Sequence, residues 1–213
     1  MKKIYIIMAG IILTVLLMNI TGFTNNTDFN NTEKKQDLIS DQKDKHTVYF
    51  AGGCFWGTEH FFKQVRGVIS TEAGYANGHV ENPSYRQVTT GKTGFTETVK
   101  VIYDPKIVGL DMLMDLYLKT IDPTSLNKQG NDIGTQYRTG VYFTDPKDEA
   151  IIKSKLQDIA KNYSSKIQVE VSKIQNFYNA EGYHQDYLDK NPNGYCHIDP
   201  SLFEYAKKAN PKK

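Results

Sequence analysis

The amino-acid sequence predicts an α+β domain of two layers, a mixed sheet covered by helices and followed by a long C-terminal coil. Three observations carry this. Segments alternating at period two and segments with apolar residues at helical spacing succeed one another as β-α-β-β-α-β-α-β. The composition, 39% hydrophobic and 23% charged over 213 residues, suits one well-buried domain. From Phe177 to His197 the chain is dense in Tyr, Asn, Gly and Asp and holds no sustained period. The pairing order of the strands cannot be read from the pattern.

Lys2 and Lys3 precede an uncharged run from Ile4 to Ile20, whose length lies between a signal-peptide core and a membrane-spanning helix. The lysines would stay on the cytoplasmic side, so the remainder is expected to be extracytoplasmic, either anchored or secreted. Asn19-Ile20-Thr21-Gly22 offers no Ala-x-Ala-like cleavage site, which favours residues 1–22 as a retained anchor over a cleaved signal peptide. Residues 23–46, rich in Asn, Thr, Asp, Lys and Gln, read as a disordered tether. The folded domain is expected over residues 47–205, with 206–213 a basic, frayed tail.

Thr47 to Ala51 is the first strand. Gly52-Gly53-Cys54-Phe55-Trp56-Gly57 joins it to a helix expected over Thr58 to Val65, with Phe61, Phe62 and Val65 at helical spacing. Val68 to Tyr75 is the next strand, and a loop rich in Gly, Asn and Pro leads on to Tyr85. Phe95 to Tyr103 alternates so that Phe95, Glu97, Val99, Val101 and Tyr103 share one face, while Thr96, Thr98 and Lys100 face away. Leu110, Leu113, Leu116 and Tyr117 mark a short amphipathic helix ending before Pro123. The polar stretch from Asp122 to Tyr137 is long for a connection inside a domain and is expected to be functional. Arg138 to Phe143 is a strand. Asp145 and Pro146 then open a helix with Ile152, Leu156, Ile159, Ala160 and Tyr163 as its buried stripe. Ile167 to Lys173 is the last clear strand.

A net charge of +2 and the absence of a basic stripe interleaved with aromatics argue against nucleic-acid binding. The two cysteines and five histidines include no Cys-x-x-Cys and no histidine pair at helical spacing, so no metal and no cofactor is expected. The chemistry centres on Cys54. At a helix start, unpaired amides and the helix dipole favour the thiolate, a nucleophile, and the preceding glycines let another molecule approach the sulfur. Phe55 and Trp56 could wall an apolar pocket there. Glu97, on an apolar strand face, would have its carboxyl pKa raised by desolvation and could donate a proton near neutrality. Cys196 follows the turn-forming Asn191-Pro192-Asn193-Gly194 on a mobile segment. Three readings follow: a structural disulfide between Cys54 and Cys196, an exported thiol hydrolase with Cys54 as nucleophile and His184 as base, or a reductase of an oxidised centre.

Gly53-Cys54-Phe55-Trp56-Gly57 with Glu59, Tyr85-Arg86, Thr93-Gly94 with Glu97, Gln129-Gly130-Asn131-Asp132, Gly134-Thr135-Gln136-Tyr137-Arg138 and Tyr183-His184-Gln185 together closely resemble the peptide methionine sulfoxide reductase A family. The resemblance covers Thr47 to about Ile198. It implies a ferredoxin-like fold and reduction of the S epimer of methionine sulfoxide, free or in oxidised proteins, as a repair activity. It further implies that Tyr85 and Tyr137 hydrogen-bond the sulfoxide oxygen, that Asp132 polarises the site, and that Phe55 and Trp56 hold the substrate methyl. Cys54 would become a sulfenic acid, Cys196 would resolve it as a disulfide, and a thioredoxin-like dithiol would reopen that bond. The expected state is a monomer.

Overall fold

Side-chain alternation along each strand decides what lies between the sheet and its helices. In the computed structural model, which describes residues 44–210, strand β1 (His46–Gly52) takes a central place. The run Ile4 to Ile20, the tether as far as residue 43, and residues 211–213 lie outside the described residues. Among the described residues no helix is long and apolar enough to cross a membrane.

Strand β1 leads into helix α1 (Phe55–Lys63), which is followed by β2 (Val68–Ala76), a short helix α2 (Tyr85–Val88) and β3 (Thr96–Tyr103). Helix α3 (Leu110–Thr120), the hairpin of β4 (Lys128–Gln129) and β5 (Asp132–Ile133), and β6 (Thr139–Phe143) come next. Helix α4 (Asp148–Ala160), β7 (Glu170–Lys173), β8 (Phe177–Asn179), α5 (Tyr187–Lys190) and α6 (Pro200–Ala209) complete the order. The main sheet runs β7-β6-β1-β3-β2-β8, antiparallel throughout except for the parallel pair β6 and β7. Its centre, β6-β1-β3-β2 with α1 and α3 as crossovers, is the split β-α-β arrangement of a ferredoxin-like fold, as the resemblance implies.

Register sets Phe50 opposite both Val99 and Val141, and Glu97 opposite Tyr75. These residues line the helix-covered face. There Phe50 stacks on Phe62 of α1 at 4.5 Å and tilts against Tyr117 of α3 at 5.0 Å. The Tyr117 hydroxyl donates to the Ala51 carbonyl at 2.7 Å, which fixes the end of β1 just before Cys54. Thr96 and Thr98, expected to face outward, are buried as well. The opposite face carries its own small cluster of Tyr49, Ala51, Ala76 and Tyr142, against which Ile174 and Phe177 pack. The segment after β7 therefore covers the sheet where simple alternation predicts water.

Several expectations are corrected. Helix α1 begins at Phe55, ahead of Thr58, with Cys54 at the N-cap position and the Phe55 amide finding its acceptor in Glu97. Helix α4 begins at Asp148, since Asp145 spends its carboxylate on the Lys147 N–H in the preceding turn, and Tyr163 lies beyond the helix, 40% exposed. The polar stretch 122–137 is built around a hairpin and a 3-10 turn over Thr135–Tyr137 and clipped by Gln129, whose amide both accepts from the Asp122 N–H at 2.8 Å and donates to its carbonyl at 2.9 Å. Residues 206–209, expected to belong to a frayed tail, are helical. Asp199 accepts from the Ser201 N–H at 2.8 Å, Pro200 takes the first helical position, and Ala206 is fully buried. Asn210 closes this helix against the body by donating to the carbonyls of Arg66 and Ile107.

Candidate active site

Cys54 caps helix α1 and is 6% exposed. Gly53, at φ +83, makes the turn out of β1 in the left-handed region that a side chain disfavours. Glu97 reaches the same helix terminus from the neighbouring strand, and its Oε2 accepts from the Phe55 N–H at 3.1 Å. The start of α1 thus divides between a thiol and a carboxyl: Cys54 holds the N-cap position, and the Phe55 N–H serves Glu97.

This division corrects the expectation of an acidified thiol. Burial pushes the Cys54 pKa well above its ordinary value, the Glu97 charge adds to that, and the Trp56 N–H opposes them without prevailing. Glu97, 1% exposed, is pushed up to about 8 by burial, against the pull of the Phe55 N–H and with Asp132 raising it further. A carboxyl on an apolar strand face holding its proton to near neutrality is what the alternation predicted.

The two tyrosines converge on these groups. Tyr85 is pushed up to about 12 by burial and the Glu97 charge, while the Tyr137 hydroxyl pulls the other way. Tyr137 is raised by burial first, then by Glu97, Tyr85 and Cys54. Both keep their protons and can donate hydrogen bonds into the site. Asp132, on β5, is raised by burial and accepts from the Tyr195 hydroxyl at 3.1 Å. Arg138 secures the loops that carry these residues by donating to the carbonyls of Thr135 and Gly94, each at 3.0 Å.

Trp56 is half-buried, stacked on Tyr187 at 3.7 Å, and donates its indole N–H to His184 Nδ1 at 3.0 Å. Phe55 is buried among Tyr75 and His184, so it can bound a pocket only from behind, with Trp56 the more open of the pair. Cys196 is half-buried and packs over Gly57, where a Cβ would lie 2.7 Å from its sulfur. Both cysteines are free thiols. The structure therefore brings Cys54, Glu97, Tyr85, Tyr137 and Asp132 into one electrostatically coupled cluster, with Cys196 close enough to contribute.

Sequence reasoning assigned no role to several supports. Glu181 accepts from the Tyr85 N–H at 2.8 Å and the Tyr75 hydroxyl at 2.7 Å, orienting α2. Gln185 pairs with both backbone groups of Ala73 where β8 stops. Glu59 accepts from the Asp186 N–H at 2.8 Å and is pushed by burial to about 7. The quoted Tyr183-His184-Gln185 and Glu59 were the available signals. His184 does not fit the base of a thiol hydrolase. Its Nδ1 lone pair accepts from Trp56, so Nε2 carries the proton, and burial lowers its pKa.

A family model described as peptide methionine sulfoxide reductase matches residues 46–213. A peptide methionine sulfoxide reductase MsrA of Lachnoclostridium phytofermentans is 53% identical over 163 residues, 76% of this chain and 98% of that protein. Mxr1 of Saccharomyces cerevisiae in reduced form superposes with a TM-score of 0.71 at 36% identity, covering 74% of this chain and 92% of that one. Methionine sulfoxide reductase A of Corynebacterium diphtheriae does so with a TM-score of 0.66 at 38% identity, covering 72% and 78%.

Proposed function

The chain belongs to the peptide methionine sulfoxide reductase family, and from that premise we propose that Cys54 and Glu97 together reduce the S epimer of methionine sulfoxide. The enzyme is a thiol-dependent reductase that returns methionine sulfoxide to methionine. The observation that best supports the site assignment is the Glu97 carboxyl held at 3.1 Å from the Phe55 N–H, at the helix terminus that Cys54 caps.

A sulfoxide sulfur resists a nucleophile until its oxygen is protonated. In the reacting form Cys54 and Glu97 hold one proton between them. That proton passes from the thiol to the Glu97 carboxyl and on to the sulfoxide oxygen as the Cys54 sulfur attacks. The S–O bond of the substrate breaks, methionine leaves, and the oxygen remains on Cys54 as a sulfenic acid. Tyr85 and Tyr137 donate hydrogen bonds to the developing negative charge on oxygen, Asp132 polarises the site, and Trp56, backed by Phe55, receives the methyl group. The Cys196 thiol then displaces the sulfenic hydroxyl as water and forms a disulfide with Cys54. A dithiol of thioredoxin type reopens it by exchange, leaving its own disulfide.

We also place this domain outside the cytoplasm, held by or released from the N-terminal run 1–22, with 23–46 as the tether. Protease added to intact cells should then digest the domain, whereas protection until lysis would overturn that placement.

The activity is tested on the full chain with the separated S and R sulfoxide diastereomers of one peptide and a dithiol reductant. Methionine should form from the S form alone. Reduction of the R form, or of neither by folded protein with Cys54 free, would overturn the reading.

A further inference from the structure

Cys196 is flanked by two side chains that aim at one carboxylate. On one side the Tyr195 hydroxyl donates to Asp132 Oδ2 at 3.1 Å. On the other, His197 Nδ1 lies 3.7 Å from the same oxygen, beyond hydrogen-bond range. The His197 side chain is 3% exposed, yet neither ring nitrogen has a hydrogen-bond partner. A buried imidazole in that condition is out of keeping with the general satisfaction of buried polar groups.

The surroundings are cut to the ring. A Cβ on Gly53 would lie 3.0 Å from His197 Cε1, and a Cβ on Gly130 would lie 3.0 Å from His197 Cβ. Gly130, at φ +58, stands on the turn of the β4–β5 hairpin that carries Asp132, and Gly53 directly precedes Cys54. The ring therefore occupies a socket shared by the nucleophile's turn and the hairpin, while the residue before it in sequence is the second thiol. Its polar atoms lie within a small movement of Asp132, with the Gly52 carbonyl near enough to influence its ionisation.

We propose that His197 is a positioning residue for disulfide formation, a latch that engages Asp132 as Cys196 advances on Cys54 and so holds the second thiol in line with the sulfenic sulfur. In the reduced arrangement the latch is seated but not bonded. The inference rests on the Cys54–Cys196 disulfide step proposed above and adds no redox equivalent to it. The sulfenic hydroxyl still leaves as water with the Cys196 proton, and His197 acts only through where it holds Cys196. A displacement of about an ångström at a reacting centre costs about a hundredfold in rate, so a small latch suffices.

The test is a single turnover of the full chain with one equivalent of a peptide S-sulfoxide and no reductant, reading methionine release and loss of free thiols separately. The wild type should release one methionine per enzyme and lose both thiols. His197→Ala should release methionine at a rate within about twofold of wild type, but close the disulfide about tenfold to a hundredfold more slowly, with the sulfenic acid trapped by dimedone. His197→Gln, which refills the socket and can donate to Asp132, should recover most of the closure rate. His197→Leu, which refills the socket and cannot donate to Asp132, should slow closure in the same selective way. It carries the test if His197→Ala does not fold. Closure at the wild-type rate in these variants, or equal slowing of both phases, overturns the latch. A wild type that releases methionine and keeps its second thiol overturns the disulfide step beneath it.

Discussion

The half of the site proposed to perform the chemistry and the half proposed to restore it are built in different ways. Cys54 and Glu97 sit where a strand becomes a helix and on the adjacent central strand, and the register of β1 with β3 fixes both. Cys196 sits between α5 and α6 on a stretch with no regular element, with its own sulfur over Gly57, Tyr195 bonded to Asp132 and His197 in the glycine socket. The first half keeps one geometry because moving it would break a sheet. The second is held by side-chain contacts outside the sheet, and it is the half proposed to move. A nucleophile and its proton carrier need fixed alignment, whereas a resolving thiol must stay clear of the substrate and then close.

Substitution at the two cysteines breaks this comparison most sharply. Cys54→Ser should lower turnover at least ~10⁴-fold, since no other group can take the oxygen. Cys196→Ser should still yield one methionine per enzyme and then stall, with recycling by thioredoxin lost. Equal loss of activity and of melting temperature in both would return the cysteines to a structural role, so thiol counts and melting curves should be taken together.

Gly57→Ala probes the contact between the halves. Its Cβ would meet the Cys196 sulfur at 2.7 Å and Ile198 Cδ1 at 3.2 Å, while α1 itself would accept alanine readily. The expected result is overpacking of about 1–3 kcal/mol together with slowed disulfide closure, while methionine release in the first turnover is spared. A thermal melt and the two-phase single turnover measure both.

The mildest effect is on stability against pH. The unfolded chain releases the Glu97 proton near the ordinary 4.5, and the folded chain holds it to about 8. Between those values the folded state binds the extra proton, so its contribution to stability is full below 4.5 and is lost as pH rises through about 8. Glu59, raised to about 7, acts in the same direction. Glu97→Gln should flatten the fall in denaturation midpoint across this window, leaving the part due to Glu59.

The sheet-borne half was legible because its signals are local. Alternation around Glu97 and the glycine-flanked start of α1 need only a few neighbouring residues to read. The resting state of Cys54 was not legible, because the dipole of α1 belongs to the local chain whereas burial and the Glu97 charge belong to the assembled sheet. Glu181 and Gln185 act on Tyr85 and Ala73 across about a hundred residues of chain, from a segment without period, so nothing near them in sequence marks the partnership. Helix α6 did carry a signal in Asp199-Pro200-Ser201. The charges at Lys207 and Lys208 nonetheless read as a tail, because only Ala206 of that helix is fully enclosed.

The most direct test of the shared proton is the pH dependence of kcat/KM for wild type and Glu97→Gln. Below about 8 both Cys54 and Glu97 are protonated in the free enzyme, one proton more than the reacting pair holds. The wild-type profile should therefore rise through about 8. Glu97→Gln should fall ~10²–10⁴-fold and lose that limb. A Glu97→Gln enzyme with the wild-type rate and the same rise through pH 8 would contradict the account and remove Glu97 from the proton's path.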